Sequence, residues 1–135
     1  MKRFVLASCA IGIAACTSST APTAERAFEL QLGHQTAVAG TPFLITFAGV
    51  IEDSRCPTGA LCIQAGRAEV ELAVSYLAAP PTPRVVRLVD RPDSSTALVI
   101  GWFIEFLDLL PHPTVGEPPI PEARRVRLIV RPALD

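Results

Sequence analysis

Asparagine is absent from the 135 residues, and Lys2 is the only lysine. Beyond the first three residues every cation is therefore an arginine. Over residues 16–135, ten arginines stand against thirteen acids, a net charge of −3. That balance excludes the basic footprint of a nucleic-acid binder. Only two histidines occur, His34 and His112. Each sits beside glycine or proline in a turn, with no second histidine or carboxylate cluster near it. Metal chemistry has no ligand set in that spacing, and neither metal nor cofactor is expected. Ser54 lacks a Gly-x-Ser-x-Gly setting, so a hydrolase triad is unsupported. No helix-period apolar segment or internal repeat is found. No catalytic residue is assigned.

What is present begins with an address. Met1-Lys2-Arg3 is basic, and residues 4–15 are apolar or small. The run is too short to span a bilayer and has the build of an export signal. It ends in Ile13-Ala14-Ala15-Cys16, which resembles the lipoprotein signal box of bacteria. The reading is a signal peptide over residues 1–15, then lipidation at Cys16. Several acyl chains on one cysteine give stable anchoring. Thr17 follows instead of Asp, which by that resemblance sends the protein to the outer membrane. Residues 16–26 hold Ser, Thr, Ala and Pro without apolar period. They read as a flexible tether reaching about 35 Å when extended.

The domain proper is read as residues 27–132. Residues 28–32, 43–51, 68–76 and 123–130 alternate apolar with polar, the period of a half-buried strand. In 68–76, Ala68, Val70, Leu72, Val74 and Tyr76 share one face, and Glu69, Glu71 and Ser75 the other. Gly49 breaks the alternation as a β-bulge would. Residues 35–39 and 84–89 add two more strands. Residues 97–110 are long enough for a helix, but their β-branched and aromatic content favours a central strand. Trp102 and the phenylalanines are assigned to the core. The total is about seven strands in an all-β, antiparallel sandwich, Ig-like or Greek-key, with a small barrel as the alternative.

One stretch between the two most apolar-faced strands carries most of the punctuation. It runs Glu52-Asp53-Ser54-Arg55-Cys56-Pro57-Thr58-Gly59-Ala60-Leu61-Cys62-Ile63-Gln64-Ala65-Gly66. Cys56 and Cys62 are the two cysteines left once Cys9 is removed and Cys16 is acylated. Two cysteines in an exported domain pair. The ring they close stabilises by about 2–2.5 kcal/mol on the chain-entropy account. Asp53 and Arg55 admit two readings. They are a contact site on a rigid loop, or they are structural, Asp53 accepting backbone N–H groups and Arg55 bonding loop carbonyls or a carboxylate.

The stretch resembles a motif in small bacterial lipoproteins of uncharacterised function: Asp-Ser-Arg-Cys-Pro, a few residues, then Cys-x-Trp-Ala-Gly and an alternating strand. Asp53, Ser54, Arg55, Cys56, Pro57, Cys62, Ala65 and Gly66 match; Gln64 stands where the family has tryptophan. Pro111-His112-Pro113 stands for the family's Pro-Tyr-Pro. The resemblance covers residues 28–130. It implies a compact exported all-β domain and no established activity.

Three functions follow as expectations. The first is a membrane-anchored, non-catalytic envelope lipoprotein. Its partners are the membrane, through the N-terminal lipid, and an unidentified protein or envelope component. The second is an inhibitor or ligand-capture module presenting the Cys56–Cys62 loop. The third is an enzyme whose site is assembled from distant residues such as Asp53, Arg55, His34 and His112. Glu69 and Glu71 are read as a solvated face. Arg125, Arg127 and Arg131 form an outward stripe that either binds an anion or faces Glu69, Glu71 or Glu105 across strands.

Overall fold

The computed structural model describes residues 24–78 and 82–133. The signal segment and Cys16 lie outside the described residues, as do Pro80 and Pro81. Eight strands form: β1 (Phe28–Gln31), β2 (Gln35–Ala37), β3 (Phe43–Asp53), β4 (Ala68–Tyr76), β5 (Arg84–Val89), β6 (Thr96–Val99), β7 (Trp102–Leu110) and β8 (Arg125–Pro132). The one helical element among the described residues is a 3-10 turn at Pro121–Ala123.

The strands make two four-stranded antiparallel sheets, ordered β1-β8-β7-β6 and β2-β3-β4-β5. The all-β sandwich is as the alternation predicts. Its order is a meander, without the Greek-key return that was the expected arrangement. The chain crosses between sheets at β1–β2 and β5–β6, and β8 closes the circuit on β1. The eighth strand comes from residues 97–110, which form a hairpin instead of one strand. Ile100 (φ 45°) and Gly101 (φ 77°) both take left-handed backbone. Two such residues in a row form the tight turn whose twist suits an antiparallel pair.

Period two decides what is buried. In β4, Ala68, Val70, Leu72 and Val74 are buried while Glu69 and Glu71 lie on the other face. In β8, Val126, Leu128 and Val130 are buried between Arg125, Arg127 and Arg131. In β3 the alternation of Phe43, Ile45 and Phe47 fails at Gly49, where the register against β4 shifts; it shifts again between Val50 and Glu52. These bulges twist the end of β3 and carry it on to Asp53. Each fully buried aliphatic or phenyl side chain contributes about 1.5–3 kcal/mol of transfer free energy. Phe43 meets the rings of Tyr76 and Trp102 edge-on, at 6.0 and 6.3 Å. Phe103 is a correction to the core assignment: it sits on the outer face of β7, 37% exposed.

The sandwich has two different ends. Ala24 donates to the carbonyl of Ala39, and Glu25 to that of Val130, so the described chain enters beside the C-terminal end of β8. The connections β3–β4 and β7–β8 lie at the opposite end, roughly 25 Å away along the eight residues of β8.

Candidate functional site

Asp53 ends β3, Arg55 follows two residues later, and Arg124 immediately precedes β8. The crossing of these segments brings their side chains together under the cysteine loop. All three are buried, with side-chain exposures of 6%, 8% and 8%. Arg55 grips Asp53 with both arms of its fork, Nε to Oδ1 at 2.8 Å and a terminal nitrogen to Oδ2 at 3.0 Å. It also donates to the Leu109 carbonyl at 2.7 Å and the Pro111 carbonyl at 3.3 Å. Its remaining direction faces Asp108 Oδ1 and His112 Nδ1, each at 3.4 Å. A guanidinium has five N–H donors, and here every one has an acceptor. Arg124 completes the cluster by donating to Asp53 Oδ2.

Burial pushes the Asp53 carboxyl up. The hydrogen bonds from Arg55 and Arg124, with their charges, outweigh that and hold it below its ordinary value. The expected role for Asp53 as acceptor of turn N–H groups is corrected: its carboxylate serves two guanidinium groups. Arg55 meets both a carboxylate and loop carbonyls. Removing one partner from such a buried set leaves an uncompensated charge, which costs about 3–5 kcal/mol.

Above this base the loop has a pinched neck. Ser54 N donates to Arg67 O at 2.8 Å, and Arg67 N donates to Ser54 Oγ at 3.1 Å. Glu52 accepts from Ser54 Oγ (2.8 Å) and Arg67 Nε (2.7 Å), and these bonds hold its carboxyl below its ordinary value. A Cβ on Gly66 would lie 1.5 Å from the Ser54 carbonyl oxygen, so no other residue fits the neck. Cys56 and Cys62 are joined by a disulfide.

The proline-rich connection is zipped to the same loop. Thr58 N donates to Pro113 O at 2.9 Å, and Val115 N to Thr58 O at 3.2 Å. His112 Nε2 lies 3.0 Å from the Cys56 carbonyl. A carbonyl only accepts, so Nε2 carries the hydrogen and Nδ1 is left to accept from Arg55. Asp-Ser-Arg-Cys-Pro and Pro-His-Pro, 53 residues apart, thus form one unit.

The tip of the loop is its opposite in character. Leu61 and Ile63 are 105% and 103% exposed. Among the described residues, residues 61–66 make no backbone–backbone hydrogen bond. Residues 56–66 carry no charge. Val115 is exposed beside Gly59, its Cγ2 3.9 Å from where a Gly59 Cβ would be. Beside it, an open hollow of about 150 Å³ is lined by Pro111, His112, Pro118, Ile120 and Ala123 among others.

Asp53, Arg55 and His112 therefore come together, whereas His34 stays exposed in the β1–β2 turn. Among the described residues no three His, Cys, Asp or Glu side chains are placed to hold a metal ion. The arginine stripe is paired, but not wholly with the expected partners. Arg131 meets Glu105, while Arg125 and Arg127 meet Glu29 at 3.7 and 2.9 Å. Glu69 and Glu71 belong to the other sheet, near Arg67 and Arg87. Arg124 was not among the expected site residues. Its signal lay in parity: it has the same phase as the inward Val126, Leu128 and Val130. No protein-family model, curated protein or solved structure matches the chain.

Proposed function

We propose that this chain is a bacterial envelope lipoprotein, exported by residues 1–15, lipidated at Cys16 and anchored in the outer membrane. Its β-sandwich is a non-catalytic domain with a binding role. The observation that carries the reading is the polarity of the molecule. The tether joins at the Ala24 end, and the most elaborated loops stand at the other. An anchored domain built this way presents residues 54–67 and 111–124 away from the membrane. The resemblance of Asp53–Gly66 and Pro111–Pro113 to small lipoproteins supports the same assignment. Arg55 supports the structural reading of the loop base, because its five donors are spent inside the fold and none is left for a ligand or a substrate.

Mass spectrometry of the mature N-terminus tests the anchor. The expected result is an acylated Cys16 and a Cys16→Ser protein released from membranes. An unmodified N-terminus, or Cys16→Ser protein still sedimenting with membranes, would refute it.

A further inference from the structure

The end of the sandwich at which Ala24 enters carries more exposed apolar surface than a point of attachment requires. The β6–β7 turn stands there, because Trp102 pairs with Pro132 and Ala133 N donates to Gly101 O. Ile100 in that turn is 65% exposed at φ 45°, a backbone state that β-branched residues avoid. Neither burial nor backbone preference accounts for an isoleucine at this position. Beside it, Leu98 and Phe103 form a cross-strand pair on the outer face, 54% and 37% exposed. On the other sheet Leu77 follows Tyr76 at the end of β4 and is 58% exposed. The two sheets meet at this end around a hollow of about 80 Å³, lined by Tyr76, Arg84 and Ile100 among others. The chain's one tryptophan and one tyrosine, Trp102 and Tyr76, are both half-buried here. Arg26 and Arg84 are exposed at the same end. Among the described residues these two make no ion pair, unlike Arg87, Arg125, Arg127 and Arg131 on the sheet faces.

We infer that this end is a membrane-contact face, on which the domain sits against the phospholipid surface that holds its anchor. The domain leans on the β6–β7 hairpin, with Leu77, Leu98, Ile100 and Phe103 at the top of the acyl chains and Arg26 and Arg84 among the phosphates. The inference rests on the lipid at Cys16 proposed above. Cys16 lies eight residues before Ala24, a reach of at most about 28 Å. The Ala24 end is therefore the end held nearest the bilayer. Its composition suits that place: aliphatic side chains enter the boundary, Trp and Tyr favour headgroup level, and arginines meet phosphate. The tip at Leu61 and Ile63 is more exposed but badly placed. It stands beyond the far end of β8, roughly 25 Å away. Seating it on the same leaflet would lift Ala24 to the limit of that reach. A second copy is the poorer occupant, because an end-to-end pair would bury the points where both chains continue to their anchors. The contact is small, and the anchor supplies the effective concentration it needs.

Trp102 is the only tryptophan in the chain, so its fluorescence reports on this end alone. The test uses the full-length protein, purified in detergent and reconstituted with phosphatidylethanolamine–phosphatidylglycerol vesicles. The vesicles carry a phosphatidylcholine with a quenching doxyl group high on its acyl chain. The expected result is protein that floats with the vesicles and loses most of its Trp102 emission relative to doxyl-free vesicles. Leu98→Asp with Ile100→Asp should float as well as wild type and escape the quenching. Its melting temperature should not fall, since both positions are exposed and Asp accepts left-handed backbone more readily than Ile. Arg84→Glu should weaken the quenching, most at low salt. Leu61→Asp should be quenched like wild type. Wild-type protein that floats with Trp102 unquenched overturns the contact and leaves the anchor standing; protein that does not float overturns both. Quenching that survives Leu98→Asp with Ile100→Asp overturns the contact as well. Quenching lost in Leu61→Asp assigns the membrane to the loop tip and does the same. So does a dimer lost with Ile100→Asp, which would make this face an interface between copies.

Discussion

The base and the tip of the cysteine loop are a few residues apart and obey opposite rules. At the base, Asp53, Arg55 and Arg124 are less than a tenth exposed, and each donor of Arg55 has an acceptor. At the tip, Leu61 and Ile63 are fully exposed and the backbone of residues 61–66 is unpaired. Polar groups are inside and apolar groups outside, the inverse of the usual sorting. The base tolerates its buried ions because hydrogen bonding is complete. The tip tolerates its exposed aliphatics because the neck and the disulfide fix its ends independently of them. The charges therefore fold the loop, and the exposed apolar residues of the tip take no part in holding it.

The largest effect comes from breaking the base. Arg55→Ala leaves Asp53 with one partner and strips the Leu109 and Pro111 carbonyls of theirs. The expected loss is about 3–5 kcal/mol, a fall in melting temperature of about 15 °C or more. A melt within two or three degrees of wild type would make the cluster ornamental. Opening the ring is next: Cys56→Ser with Cys62→Ser should cost about 2 kcal/mol by chemical denaturation. Unchanged stability would show that the neck alone holds the loop.

Acid probes the base without mutation. Asp53 has a folded-state value below its unfolded one, so its contribution is complete above the unfolded value of ~3.9. It is lost as pH falls through the lower folded value. Wild-type protein should lose stability below about pH 4, with Glu52 contributing in the same direction. In Asp53→Asn the decline should be shallower, read from melts across pH 2–6. Parallel curves would remove Asp53 from the account. Smallest is the tip, where Leu61→Asp should leave stability within about 0.5 kcal/mol of wild type. A larger loss would mean that Leu61 packs in the native state.

Much of the fold was legible because one face of each sheet is wet. The alternations in β3, β4 and β8 report burial directly, and Gly49 marked its bulge. The β6–β7 hairpin was hidden because its turn is Ile100-Gly101. A β-branched residue at positive φ is rare, so the pair lacks the Asn-Gly signature by which such turns are read. Strand order was illegible because alternation says which face is buried, not which strand is adjacent. That is why the stripe of Arg125 and Arg127 was matched to Glu69 and Glu71 instead of Glu29. Asp53 and Arg55 stood out in the sequence, but their depth did not. Burial here depends on Arg124 and the Leu109–His112 segment arriving from over fifty residues away, a long-range fact that no local pattern encodes.

Residue-resolved amide hydrogen exchange on the native protein tests the contrast between base and tip most directly. Ser54, Thr58 and Arg67 donate N–H bonds at 2.8, 2.9 and 3.1 Å, and should be strongly protected. The amides of Leu61, Cys62, Ile63, Gln64 and Ala65 should exchange at nearly the rate of an unstructured chain. Protection at the tip equal to that at the neck, or a neck exchanging as fast as the tip, would contradict the account.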